Sequence, residues 1–558
     1  MLLNYLEFSH QLCYCQNSLK HFFEKENGHK YIGIMVHATL EELTTPRYEL
    51  LIKNNFDQRD FIEELCMHDL IMTILHRILR TLMEVKQMAE HINSVDVEQV
   101  KEFCREEITD LDQRGIHKLS FESEHKNIDL LKTLADAFLR ERVSVKFYSN
   151  ERFQMRDVTY QGNYSSFTYM YAFVNRIKKL IDREDFSFYI LIDNGDETKN
   201  TMQMCIDHLI SQRKHRDVCI KVAVKKGVHW DTGSIQWPHD YSQIDIDELY
   251  STRHTVYYNR IKDIADKRLK LADVDVAIEE FLPESPTERV LLEKIKDELK
   301  EKCETEYEEK YGRKIAEERP SKSDYISNRV NKYAQAELFR RLKKTGKSYA
   351  GFDNIVNLSS GIIRQFLDIC SYMFDEEVAY KGANVVQISL RSQNGVIKKY
   401  ADDFIDELEK KYKALEKEKN FEEAKYYKGL YNLIEALGKY YKKRLLNPKL
   451  REPRNFTFTL KDPDTDQDID RILETGVIEN YFQRYWYSSK IGIAKYRGYA
   501  FNRRLCPRYG IDHTSFRGRI ELTTADLKVA IEEAKIPKTI HIIEEDKYLT
   551  LDTFSGDS

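Results

Sequence analysis

Proline and glycine are scarce, at 10 and 21 in 558 residues. So few chain breakers exclude long Pro/Gly-rich linkers and point to a mostly helical protein. No CxxC pair occurs, and the nine cysteines (Cys13, Cys15, Cys66, Cys104, Cys205, Cys219, Cys303, Cys370 and Cys506) are scattered and odd in number. That pattern argues against a zinc site or a disulfide framework and for free thiols in a reducing compartment. No apolar run approaches the roughly 18–20 residues that span a bilayer, and the N-terminus has no basic start followed by a hydrophobic core. The expectation is a soluble, cytoplasmic protein without a membrane partner. Acids and bases nearly balance, 93 against 88, for a net charge of -5. Nothing global draws this chain to nucleic acid, so any basic function must be local. One motif is also missing: no GxxxxGK[ST] phosphate loop opens the chain.

What is present exceeds one hydrophobic core, since 558 residues imply two to four domains. Residues 1–30 read as an amphipathic helix and 31–38, YIGIMVHA, as a short strand. Residues 56–115 carry apolar positions at three- and four-residue spacing, which predicts helix. A helix over 127–142 is expected to give way to an extended piece, VSVKFYS. Helix 166–182, strand 186–193, helix 198–213 and strand 218–226 then predict a parallel αβ sheet with right-handed crossovers. Residues 286–346 are dense in Glu, Lys and Arg at helical spacing. Interleaved signs of charge there read as a solvated helical arm or a hairpin packed on a partner. Two amphipathic helices follow in 392–446, and 454–558 mixes strands such as FTFTL and GRIEL with helices, ending in an acidic tail expected to be disordered. No internal repeat is visible.

The chemistry gathers around FSFYILIDNGDE at 186–197. An apolar strand ending in Asp193 can reach a magnesium ion, or it can be a buried strand whose Asp caps the next helix. Asn194, directly after it, can orient a water but cannot take its proton. Asp196 and Glu197 stand further along as substitutes. Strand 218–226 ends in Lys225 and Lys226, which read either as sensors of a γ-phosphate or as ordinary solvated residues. Thr345-Gly346-Lys347-Ser348 imitates the tail of a phosphate loop, but it follows a charged helix rather than a strand, so a helix end and turn is expected.

YAGFDNIVNLSSGIIRQFLDICSYMF at 349–374 resembles the lid segment of AAA+ ATPases of the origin-recognition/initiator type. Its turn is Ser359-Ser360-Gly361, and the resemblance makes Arg364 the lid residue that senses nucleotide; the plain alternative is an exposed helical Arg. Other pieces resemble the bacterial branch of that family in the same order. MLLNYL is similar to the helix after the phosphate loop, FYILIDNGDE to the magnesium strand, and CIKVAVKKG to the next strand. HDYSQIDID at 239–247 with YYNRIKDIADKRL at 257–269 is similar to the closing core strand and helix. GYAFNRRLCPRYGI at 498–511 is similar to the C-terminal domain. The resemblance implies ATP and Mg2+ as cofactors, a protein partner or homo-oligomer, and often DNA. It implies catalytic roles for Asp193, Asn194 and Asp196, with Asp193 also the metal ligand, and cofactor contacts for Lys225, Lys226 and Arg364. It further implies a switch beside a separately encoded effector, an arrangement found in genome defence.

Two departures follow. The sequence opens as though inside a nucleotide site, either because the start is cut there, the favoured reading, or because this is a pseudo-ATPase that lost half its site. Asn194 in place of the usual Glu predicts impaired or absent hydrolysis. Between 495 and 519, Lys495, Arg497, Arg503, Arg504, Arg508, Arg517 and Arg519 interleave with aromatics, which predicts a DNA-binding winged-helix face, led by the first five, or, equally, a face for an acidic protein partner or for the charged arm at 286–346. The expected fold is thus α/β plus all-α: an N-terminally incomplete AAA+-like parallel core over 1–275, a charged arm and helical lid over 276–390, a helical segment over 391–450, and a winged-helix-like α+β domain over 451–558. The rival function is a non-enzymatic scaffold or inhibitor subunit.

Overall fold

The computed structural model describes residues 6–15, 18–24, 30–45, 47–53, 58–112, 121, 126–154, 158–182, 186–211, 216–225, 235–236, 239–244, 254–311, 320–382, 384–450, 453–461, 466–488, 495–514 and 518–537. It divides into two units, 1–244 and 245–558, and 67% of the described residues are helical. Lys226, most of MLLNYL, the end of HDYSQIDID and the acidic tail lie outside the described residues.

In the first unit, helices α1 (Phe8–Tyr14) and α2 (Leu19–Glu24) precede strand β1 (Tyr31–His37). Helices α3 (Arg47–Lys53), α4 (Arg59–Glu84), α5 (Lys86–Asn93), α6 (Val97–Leu111), α7 (Asn127–Phe153) and α8 (Phe167–Leu180) follow. Strand β2 (Ser187–Asp193), α9 (Asn200–Ser211) and β3 (Val218–Val222) complete the unit. The three strands are parallel in the order β1-β2-β3. Near-continuous apolar runs such as IGIMV suit strands covered on both faces, and Ile32 through Val36 are indeed buried. Gly33 is required by close approach: a Cβ there would meet the Leu6 carbonyl oxygen at 1.7 Å.

The expected extended piece at 143–149 is helical, as the last part of α7. Val143, Val145 and Phe147 alternate as a strand would. The burial of Leu130, Leu131, Leu134 and Phe138 against α4, however, carries a helical period straight through them, burying Val145 and Tyr148. Extending a packed helix costs far less than starting a new element.

In the second unit, α10 (His254–Leu271) and α11 (Ile278–Phe281) lead into an antiparallel hairpin of α12 (Pro286–Tyr311) and α13 (Lys322–Arg341). Tyr325 meets Tyr307 and Tyr311 edge to face near its tip, and those two rings lie tilted on each other; Lys322–Glu308 and Arg329–Glu306 cross it. The interleaved charges of the arm therefore serve largely each other. Then come α14 (Phe352–Leu358), α15 (Ile363–Lys381), α16 (Leu390–Lys417) and α17 (Phe421–Leu446), followed by β4 (Asn455–Leu460), α18 (Gln467–Ile478), β5 (Phe482–Ser488), β6 (Lys495–Phe501), α19 (Cys506–Tyr509), β7 (Gly518–Leu522) and α20 (Thr524–Glu533). The sheet is mixed, ordered β5-β6-β4-β7, with β4 antiparallel to β6 and parallel to β7. Buried β4 and α17 form the middle of this core.

Candidate functional site at the carboxyl ends of the parallel strands

Ligands of open parallel sheets bind beyond the carboxyl ends of the strands. Here that edge is built by register. His37 is paired with Asp193 at the ends of β1 and β2, and the Ala38 N–H donates to the Asp193 carbonyl at 3.1 Å. The side chains meet as well, with His37 Nδ1 3.6 Å from Asp193 Oδ2. Asn194 then takes the left-handed conformation (φ 60°, ψ 37°), which turns the chain into a single 3₁₀ turn over Gly195–Glu197. Asn is among the few non-glycine residues that adopt it readily.

This turn brings Glu197 back over the strand ends. Its carboxylate accepts from Thr39 Oγ1 at 2.9 Å and from Asn194 Nδ2 at 3.1 Å. Asp196 points toward β3, where it accepts the Lys225 backbone N–H at 3.3 Å. Asp193, Asn194, Asp196 and Lys225 therefore lie along one edge, with Lys225 exposed. Thr39, His37 and Glu197 join them. Arg364 is exposed in the first turn of α15, in the second unit.

A buried ionic network supports the edge from below. The segment 38–44 that carries Thr39 is fastened by Arg142 of α7, which donates to the Glu41 carboxylate and carbonyl, both at 2.6 Å, and to Asp69 at 3.1 Å. Tyr48 donates to the other Asp69 oxygen at 2.8 Å. Burial pulls the Arg142 guanidinium down, but the carboxylates of Asp69 and Glu41 outweigh it and hold the charge above its ordinary value. Burial, with Asp69 beside it, pushes the Tyr48 phenol up.

The basic segment of the second unit is used differently from a row of free cations. Arg497 pairs with Asp470 at 2.9 Å. Arg503 is buried, with its guanidinium over Phe456 at 5.4 Å and bonded to Asn357 at 3.3 Å; burial pulls its pKa down. Arg504 lies on Tyr400 at 3.4 Å and Phe404 at 4.2 Å and donates to the Tyr400 carbonyl at 3.2 Å. Arg508 meets Asp402 at 3.1 Å, Glu435 at 3.5 Å and Asp406 at 3.7 Å. Lys495 opens β6 opposite Ser488. The turn Ser359-Ser360-Gly361 joins the same assembly: Ser360 Oγ binds Asn502 at 3.0 Å and accepts the Arg503 N–H at 2.9 Å. These arginines knit α14, α16, α17 and the mixed sheet into one core. Lys347 of TGKS lies in the turn after α13 and donates to the Ser348 carbonyl at 2.9 Å, between the rings of Phe339 and Tyr349.

Magnesium prefers carboxylate and water oxygens; the Asp193 carboxylate is about a quarter exposed and lies 3.6 Å from His37 Nδ1, and among the described residues no group of three or more His, Cys, Asp or Glu side chains is placed to hold a metal ion. A triphosphate needs backbone N–H groups or a lysine in a strand-to-helix loop. No GxxxxGK[ST] loop occurs in the sequence given. Sequence reading passed over His37 and Thr39; their signal was position, since they end the strand that neighbours β2.

A small parallel sheet with a carboxylate-bearing edge, joined in one chain to a helical unit with a mixed sheet, gives the protein an α/β plus helical layout. The family model for ORC-CDC6-like proteins matches residues 1–522, and the chain belongs to that family, an AAA+-related, initiator-type group. No curated protein and no solved structure gives a match. Among the described residues no helix is long and apolar enough to cross a membrane.

Proposed function

We propose that this protein is an AAA+-type switch that couples magnesium-nucleotide occupancy to assembly with a separate effector partner, on or near DNA. The observation that carries the reading is the strand-end cluster of Asp193, His37, Thr39, Asn194 and Glu197. Asp193 would hold magnesium. When bound, the nucleotide would supply a phosphate charge that opposes the carboxylates and so moves the 194–197 turn. Glu197 accepts hydrogen bonds from Thr39 and Asn194, which makes its carboxylate a weaker base and supports slow hydrolysis.

DNA contact, in this reading, rests on the β5–β6 hairpin. The order α17-β4-α18-β5-β6, with β5-β6-β4 antiparallel, supports comparison with a winged helix. A second reading, a non-enzymatic scaffold that kept the fold, is favoured by one observation: the phosphate loop motif is not in the sequence given.

The experiment is light scattering of the full chain with and without magnesium and ATP or ADP. A nucleotide-dependent change in assembled mass, lost in Asp193→Ala, supports the switch. An unchanged mass across all states favours the scaffold. DNA affinity that falls linearly on a log–log salt plot would count phosphate contacts directly.

A further inference from the structure

Helices α4 and α7 and the start of α8 bring three chemically matched side chains into line. Ser165, half-buried and directly before the N-cap of α8, places its Oγ 2.8 Å from His68 Nδ1. On the other side of the ring, His68 Nε2 lies 3.2 Å from Glu141 Oε2. His68 is 0% exposed and Glu141 1%, so the line runs inward from a half-buried serine to a carboxylate in the core. The proton positions follow from the carboxylate's other partners. Glu141 Oε1 accepts the Asn163 side-chain N–H at 2.9 Å, and Oε2 accepts the Asn163 backbone N–H at 3.4 Å. Both oxygens are thus acceptors, which makes Nε2 the donor of the ring and leaves Nδ1 to accept the Ser165 hydroxyl.

A hydroxyl held on a base that a buried carboxylate orients is the arrangement that activates serine for acyl transfer, and it is recognised by geometry rather than by order in the chain. We propose that Ser165, His68 and Glu141 form a nucleophilic site that cleaves carboxylic esters with an uncharged, apolar acyl group. Tyr164, 37% exposed, adjoins Ser165 in the chain. Its ring lies 5.3 Å from Tyr160 and 6.2 Å from Phe61, which gives an acyl group a flat apolar wall. Acidic side chains stand behind the serine, Glu141 and, 3.3 Å from the Asn163 amide, Asp112. They disfavour a charged acid such as a phosphate or a dicarboxylate. The site lies wholly within the first unit and does not depend on the nucleotide reading of the strand ends.

Ser165 Oγ attacks the acyl carbonyl while its proton passes to His68 Nδ1, and Glu141 stabilises the imidazolium. Collapse of the tetrahedral adduct breaks the ester C–O bond, and the alkoxide leaves with the proton from Nδ1. Water, the only co-reactant, then attacks the acyl-serine and gives a proton to Nδ1. The acid departs as Ser165 Oγ recovers that proton. Helix α8 begins two positions after Ser165, and its N-cap Ser166 makes no side-chain cap bond. The N–H groups of its first turn can therefore take the negative charge that develops on the carbonyl oxygen. Ser165 and His68 are the catalytic residues; Glu141 is a positioning residue.

The test treats the full chain with a fluorophosphonate, which loses fluoride as the serine O–P bond forms and the proton passes to His68, and maps the adduct by peptide mass spectrometry. The expected adduct is on Ser165 and not on Ser166, and it forms about a hundredfold more slowly in His68→Gln. The chain should also turn over p-nitrophenyl acetate, and Ser165→Ala should abolish that turnover. Ser165→Ala removes one hydroxyl, so its thermal midpoint should hold within about 4 °C; it carries the test even where His68→Gln fails to fold. Glu141→Gln should lower kcat at least about tenfold with KM unchanged, and Glu141→Asp should regain part of it, a split that a purely structural brace would not produce. No adduct on Ser165 in the folded chain, adducts spread evenly over neighbouring hydroxyls, or ester hydrolysis that survives Ser165→Ala overturns the proposal. An unchanged kcat in Glu141→Gln overturns the positioning role.

Discussion

Replacing Arg142 with Met tests whether the strand-end edge is held by buried charge. The guanidinium is 3% exposed and Asp69, one of its partners, is 1% exposed. Removing one member of such a pair strands the other, and breaking a buried ion pair this way costs about 3–5 kcal/mol. Glu41, at 18% side-chain exposure, is partly hydrated and adds to the lower end. Met fills most of the volume, so the loss reports charge and not a cavity. For a unit of this size the shift corresponds to roughly 6–20 °C in melting temperature. Hydrogen exchange along a urea series, read on peptides from α4 and α7, isolates the first unit. Adding Asp69→Leu to Arg142→Met should restore about 1–2 kcal/mol, because the stranded carboxylate is gone. A single-mutant loss under about 1 kcal/mol, the range of exposed pairs, would refute the claim that this network positions the 38–44 turn.

Two further outcomes follow from the second unit. Arg504→Ala should lower that unit's stability by about 1–2 kcal/mol through loss of its stacking on Tyr400 and Phe404, and any fall in DNA binding should track unfolding measured by circular dichroism; full stability with weakened DNA binding would show Arg504 to be a DNA contact. Burial and the nearby Lys347 ammonium hold the His513 imidazole down at about 3, while Asn354 bonds its Nε2 at 2.9 Å. An unfolded histidine binds a proton near pH 6.5, so this contribution is complete above pH 6.5 and drains as pH falls toward 3, at up to about 1.4 kcal/mol per pH unit. His513→Gln should flatten the acid limb of urea midpoints between pH 7 and 5, and an unchanged slope would place the titration elsewhere.

How far the sequence could be read depended on the range of the interactions involved. The strand ending in Asp193, the strands on either side and the paired helices of 392–446 were visible because their periods are local. The helix over 143–149 was not, since Val143, Val145 and Phe147 alternate like a strand and only packing on α4 decides between the two. The Glu197 carboxylate was named only as a fallback because its partner Thr39 is 158 residues away. Likewise, the contacts of Arg504 and Arg508 with Tyr400, Asp402 and Glu435 could not be read locally, because those partners lie more than 70 positions upstream. Alternating Arg and aromatic residues describe a stacked core as well as a nucleic-acid surface.

The most direct measurement is the affinity of the full chain for ATP, by calorimetry with and without magnesium, in wild type, Asp193→Ala and Glu197→Gln. The account predicts binding that requires magnesium, falls at least about tenfold in Asp193→Ala, a loss of about 1.4 kcal/mol, and survives in Glu197→Gln, with little hydrolysis in any of the three. Binding that ignores magnesium and Asp193, or no binding at all, would contradict it.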